Sequence, residues 1–193
     1  MRDLTIPPEV LRPATVLLVH RRGWIGSLIR WVTASPWNHA ALIEGAKHGD
    51  EVTTIEAKDL SGVQHSTLRG YCEDPSVLGL AVYDRPDLTM AQRWAICDWA
   101  DRHNGARYDT AQLLGIYLRR RLPVLNRWRN RLDSPDRPIC SELVGRAYEA
   151  AGVSLCPPGV QIGCLAPSHL TETMQRTWEG WRSTAADAAG GVQ

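Results

Sequence analysis

Residues 35–57, SPWNHAALIEGAKHGDEVTTIEA, hold two largely apolar runs, NHAALIEG and VTTIEA, on either side of a glycine-containing polar turn. Parallel strands need a crossover of a dozen or more residues, and the connection here is far shorter. The two runs therefore predict an antiparallel pair. Upstream, ATVLLVHR at 14–21 reads as a buried strand. Between it and the pair, WIGSLIRWVT places Trp24, Leu28, Trp31 and Val32 at helical spacing. Pro36 stops that helix, because its ring disfavours helix at Ser35.

Downstream, GVQHSTL and VLGLAVYD are two further strand candidates, and Thr89 is suited to cap the helix MAQRWAICDWADRHN, which Gly105 closes. Trp94, Ile96, Cys97, Trp99 and Ala100 supply the apolar side of that helix, which makes Cys97 a core residue. A helix is expected from Asp109 to Leu118, then an arginine-rich link over 119–137 with seven arginines against two aspartates. The helix headed by Cys140 runs to Gly152. The proline-bearing stretch 155–167 is loop, SHLTETMQ a short helix and TWEGWR a final strand. The pattern predicts an α+β fold with a mostly antiparallel sheet, in a single domain over residues 1–182. Residues 183–193, small and polar, read as a frayed tail.

At 193 residues the chain can bury a core without staples, and its 44% apolar and 22% charged residues are ordinary for a globular protein. A net charge of +1 excludes a global field drawing it to nucleic acid or to anionic lipid. Five cysteines with no CxxC pair and no zinc-type Cys/His spacing give no reason to expect a disulfide framework, a metal or a cofactor. No apolar run is long enough to span a bilayer, and MRDLTIPPEVLRP lacks the apolar stretch of a secretory signal. The expectation is a chain made in a cytoplasm, or one that leaves by lysis or by packaging into a particle.

The chemistry concentrates on a few residues. Prolines in DSPDRP force the next helix to start near Cys140, which sets the thiol among unpaired backbone N–H groups that favour a thiolate and can hold an oxyanion. By position alone, Cys140 suits a nucleophile and a small buried residue equally. His39, in an apolar strand, needs a partner for each ring nitrogen. A thiol on one and an acceptor on the other would satisfy it, as would a backbone carbonyl in a plain core setting. Glu56, on the strand expected to pair with that of His39, can orient the imidazole or face solvent. Glu44 lies five residues from His39 and so on the opposite face of the same strand. Tyr108, in GARYD, could donate to an oxyanion or simply pack.

Taken together, Gly105-Ala106-Arg107-Tyr108, Cys140-Ser141-Glu142-Leu143-Val144 and Ala151-Gly152-Val153 resemble motifs of the cell-wall peptidase and amidase superfamily with NlpC-type papain-like cores. His39 and Glu56 precede them, with Ser35-Pro36-Trp37-Asn38-His39 as the approach. That order is similar to the circularly permuted branch typified by YaeF and YiiX proteins, over roughly residues 14 to 170. The resemblance implies a permuted papain-like fold with Cys140 as nucleophile, His39 as general base and then acid, Glu56 as the orienting residue and Tyr108 as an oxyanion or substrate contact. It implies amide hydrolysis through a thioester, with peptide stems of bacterial cell wall as substrate. Lipid-ester hydrolysis or acyl transfer, as in the related lecithin:retinol acyltransferase group, is the alternative within enzymes. A structural role in a phage tail or other particle is the alternative outside them.

Overall fold

The computed structural model describes residues 4–48, 51–58, 61–106 and 140–182. The expected helix at 109–118, the arginine-rich link, Tyr108 and the tail lie outside the described residues. Six strands form one sheet: β1 (Val16–Arg21), β2 (His39–His48), β3 (Glu51–Lys58), β4 (Gly62–Thr67), β5 (Val77–Asp84) and β6 (Gln175–Trp181). Their order across the sheet is β4-β3-β2-β1-β5-β6, and every neighbouring pair is antiparallel. The helices are α1 (Trp24–Thr33), α2 (Leu68–Glu73), α3 (Met90–Arg102), α4 (Cys140–Ala150) and α5 (Pro167–Thr173).

The short 35–57 connection does produce adjacent antiparallel strands, with Leu42 opposite Ile55. The strands extend further into the turn than the sequence suggests, since β2 runs to His48 and β3 starts at Glu51. Alternation then sorts side chains to two faces. Leu18, Ala40, Leu42 and Ile55 point to one layer, built with Ile96, Cys97 and Ala100 of α3 and Leu143, Val144 and Ala147 of α4. Leu17, Val19, Ala41 and Ile43 point to the other, covered by Leu4, Ile6, Leu68 and Tyr71. With both faces covered, the central strands carry near-continuous apolar runs, as ATVLLVHR does.

Thr89 caps α3 through a capping box with Gln92. The buried side of that helix is displaced from the expected one: Arg93, Ile96, Cys97 and Ala100 are buried, whereas Trp94 is exposed. These four sit at i, i+3, i+4 and i+7, a single helical stripe. Arg93 can join it because both terminal nitrogens of its guanidinium are engaged. It donates to Asp84 Oδ1 and Oδ2 at 2.8 and 3.2 Å, to the Pro13 carbonyl at 3.0 Å and to the Arg85 carbonyl at 2.9 Å. Burial of a charge is tolerated when it is paired and hydrogen-bonded in this way.

On α4, Gly145 lets the 3-10 turn Ile162–Cys164 press against the helix. A Cβ there would stand 2.5 Å from Ile162 Cδ1 and 2.6 Å from Leu165 Cδ2. Ser141 Oγ donates to the Leu165 carbonyl at 2.6 Å, and the Tyr148 hydroxyl donates to the Ala14 carbonyl. These bonds fix both ends of α4, and with them the position of Cys140.

Candidate active site

Cys140 is the first residue of α4 and is buried, at 4% exposure. His39 is the first residue of β2. With Leu42 and Ile55 facing each other, His39 and Glu56 fall together on the opposite face of the sheet. Their side chains meet there: His39 Nε2 lies 2.6 Å from Glu56 Oε2. His39 is also hydrogen-bonded to the Cys140 side chain. Nε2 being taken by Glu56, Nδ1 is the ring nitrogen that remains for the thiol. The body of α4 packs on the other layer, so its N-terminus reaches His39 around the strand's beginning. A histidine further along β2 would be shielded from it by the sheet.

Glu56 is almost wholly buried and would be costly as an isolated carboxylate. Three donors offset that cost. His39 serves Oε2, Ser66 Oγ donates to Oε1 at 2.5 Å, and the Tyr71 hydroxyl is hydrogen-bonded to the carboxylate as well. Lys58 Nζ stands 3.8 Å from Oε1. Burial alone would raise the Glu56 pKa, but the bond from His39, the charge of His39 and the bonds from Ser66 and Tyr71 hold it below the usual carboxylate range. For His39, burial works downward; the bonds to Cys140 and Glu56 and their negative charge outweigh it and push the imidazole up to about 10. At neutral pH His39 is thus an imidazolium that donates from both nitrogens. The Tyr71 oxygen, 3.4 Å from Nε2, therefore directs its proton to Glu56, because a protonated ring nitrogen cannot accept. Burial, and then the Glu56 charge, push the Tyr71 phenol well above its ordinary value, which keeps it a donor.

Of the four residues singled out in the sequence, His39, Glu56 and Cys140 come together, and Tyr108 lies outside the described residues. Ser66 and Tyr71 join the constellation without having been anticipated. Ser66 was open to discovery, since Gln64 is the register partner of Glu56 and Ser66 shares its face. Tyr71 was not, because a six-residue helix shows no period.

A second polar cluster occupies the opposite face. Glu44 Oε2 lies 2.9 Å from His65 Nδ1, and Asp101 Oδ1 lies 2.8 Å from His65 Nε2. One donor atom from each of the three falls within 4.8 Å of the others. Carboxylate and imidazole donors suit a divalent cation, and His65 and Asp101 are partly exposed while Glu44 is buried. The donor set therefore fits a metal, with His65 and Asp101 as ligands and Glu44 orienting the ring from Nδ1.

No family model matches the sequence, and no curated protein does. Among solved structures, the chain is similar to the crystal structure of the metalloprotein YiiX from Escherichia coli O157:H7. The TM-score is 0.64 and the identity 14%, with 89% of this chain and 98% of that one covered. At that identity the likeness is one of fold, and this chain has a YiiX-like α+β fold with a six-stranded antiparallel sheet.

Proposed function

We propose that the chain is a cysteine-dependent amide hydrolase with a circularly permuted papain-like order, acting through a thioester. The observation that carries this reading is the chain of contacts from Cys140 to the His39 ring and from His39 Nε2 to the buried Glu56 carboxylate. In the mechanism, the Cys140 thiolate adds to the substrate carbonyl carbon, and the backbone N–H groups at the start of α4 stabilise the oxyanion. Collapse breaks the C–N bond, and the departing amine takes the proton of the His39 imidazolium. Neutral His39 then accepts a proton from water as the oxygen adds to the thioester. Breaking the C–S bond returns the thiolate and releases the carboxylic acid. Glu56, held by Ser66 and Tyr71, keeps the ring oriented and stabilises its charged form throughout.

Peptide stems of bacterial cell wall are the proposed substrate, on the strength of the motif resemblance. Lipid-ester hydrolysis or acyl transfer would use the same nucleophile with another acceptor, and a particle component would need no turnover. Incubation with soluble stem peptides and mass analysis of products separates these readings. The amidase reading expects a new amine and a new acid, both lost in Cys140→Ala. Equal cleavage by that variant would refute it.

A second reading concerns the opposite face. The fold is shared with a protein described as a metalloprotein, and His65 and Asp101, with Glu44 orienting the imidazole, are the residues that would hold a cation here. A bound ion would supply a cross-link between β2, β4 and α3, on the face opposite His39 and Glu56. Elemental analysis of the purified chain should find stoichiometric metal that His65→Ala loses. Metal-free wild-type protein, with no shift in melting temperature on adding zinc, would dismiss it.

A further inference from the structure

Helix α1 is amphipathic by sequence, yet its tryptophans face outward: Trp24 is 79% exposed and Trp31 62%. Trp24, Leu28 and Trp31 are spaced i, i+4 and i+7, so they form one ridge along the helix. The opposite side of α1 is what seats it. Ile29 is buried, and Gly26 lies so close to Asn38 that a Cβ would stand 2.3 Å from its Nδ2. Asn38 is itself fixed to the end of β1, donating from Nδ2 to the Arg21 carbonyl at 2.7 Å and accepting the Arg21 N–H at Oδ1 at 3.0 Å. The orientation of α1 is therefore imposed by its inner face, with Trp24 and Trp31 exposed and Leu28 half-buried between them.

The stretch of sequence that carries this ridge holds charge of one sign. From Val10 to Ile43 the sequence has no aspartate or glutamate and carries Arg12, Arg21, Arg22 and Arg30. Arg21 is paired with Asp74 at 3.1 Å. Arg30 donates to the Arg21 carbonyl and to Ser27 Oγ, both neutral, and has no carboxylate partner among the described residues. Arg22, next to α1, is exposed. Tryptophans on one side and arginines flanking them form the pattern of a helix that lies in a membrane interface, with rings at the level of the headgroups and guanidinium groups on lipid phosphates.

We infer that the Trp24–Leu28–Trp31 ridge of α1 docks on an anionic lipid bilayer, lying in its interface without crossing it. No helix among the described residues is long and apolar enough to span a membrane. The surface stands independently of the catalytic reading. Because α1 joins β1 to β2 at the end where His39 begins its strand, docking sets the Cys140–His39 end of the sheet beside the headgroups.

The test uses the full chain and vesicles of phosphatidylcholine with and without phosphatidylglycerol, read by co-sedimentation. Wild type should pellet with the phosphatidylglycerol vesicles and be released by salt. The Trp24→Ser/Trp31→Ser pair should lose affinity on the order of a hundredfold, at about 1.5 kcal/mol or more per buried ring, with an unchanged circular dichroism spectrum. Trp94→Ser, which removes an exposed tryptophan from α3, should bind as wild type. Failure of wild type to bind anionic vesicles, equal binding by the double variant, or burial of the ridge in a dimer that the double variant dissociates would each overturn the inference.

Discussion

At the residue scale, the account turns on one carboxylate. Glu56 is acceptable in the interior only because His39, Ser66 and Tyr71 supply its protons. Ser66→Ala removes one donor and leaves Oε1 short of a partner, so it should cost about 1–3 kcal/mol of stability by denaturant titration. Tyr71→Phe should leave the fold intact and lower kcat more than it raises KM, with a shift of the His39 titration by NMR. An unmoved titration would mean that Tyr71 only packs. The pair also sets a pH window. His39 is raised from 6.5 to about 10, so its contribution is complete below 6.5 and is lost as pH climbs through about 10. Glu56 is lowered from 4.5, so its contribution is complete above 4.5 and is lost at lower pH. The difference in melting temperature between wild type and Glu56→Gln should accordingly be widest between 4.5 and 6.5 and shrink above about pH 10. Of this constellation, His39, Glu56 and Cys140 were legible because strand parity and a proline-marked helix start are local signals. Tyr71 was not, because its contact with the site is made only by tertiary folding.

At the element scale, the strands were read most fully. Turn length fixed the β2–β3 pairing, and alternation fixed which side chains share a face. Helix faces were read less well. On α3, hydrophobicity nominates Trp94 for the interior, but the interior takes Arg93, because Asp84 at the end of β5 and two carbonyls are waiting for it. No sequence window contains that information, since Pro13 lies eighty positions from Arg93. Arg93→Leu would strand the Asp84 carboxylate in the core, and a loss of about 3–5 kcal/mol is expected. A milder loss in Arg93→Leu/Asp84→Asn, measured by the same unfolding titration, would show that the stranded charge, and not lost packing, is the cause. On α1 the mismatch has the same direction. Trp24 and Trp31 look like core residues and lie outside, because Gly26 and Ile29 provide the seat.

At the scale of the whole molecule, one sheet separates two polar constellations. Cys140, His39 and Glu56 meet at the end of one face, and Glu44, His65 and Asp101 cluster on the other. The division follows from β2 alone, where His39 and Glu44 stand five residues apart and alternation sends them to opposite sides. The central claim is that one cysteine of five is activated by this arrangement. Burial raises the Cys72 and Cys156 thiols, and Cys97 is enclosed in the core. The direct measurement is alkylation of the native protein with a small iodoacetamide at about pH 6, with the modified positions mapped by mass spectrometry. The account predicts that Cys140 is modified first, at least about tenfold faster than Cys72 or Cys156, and that His39→Ala abolishes the preference. Labelling of Cys140 no faster than of Cys72 or Cys156, or a preference that survives in His39→Ala, would contradict it.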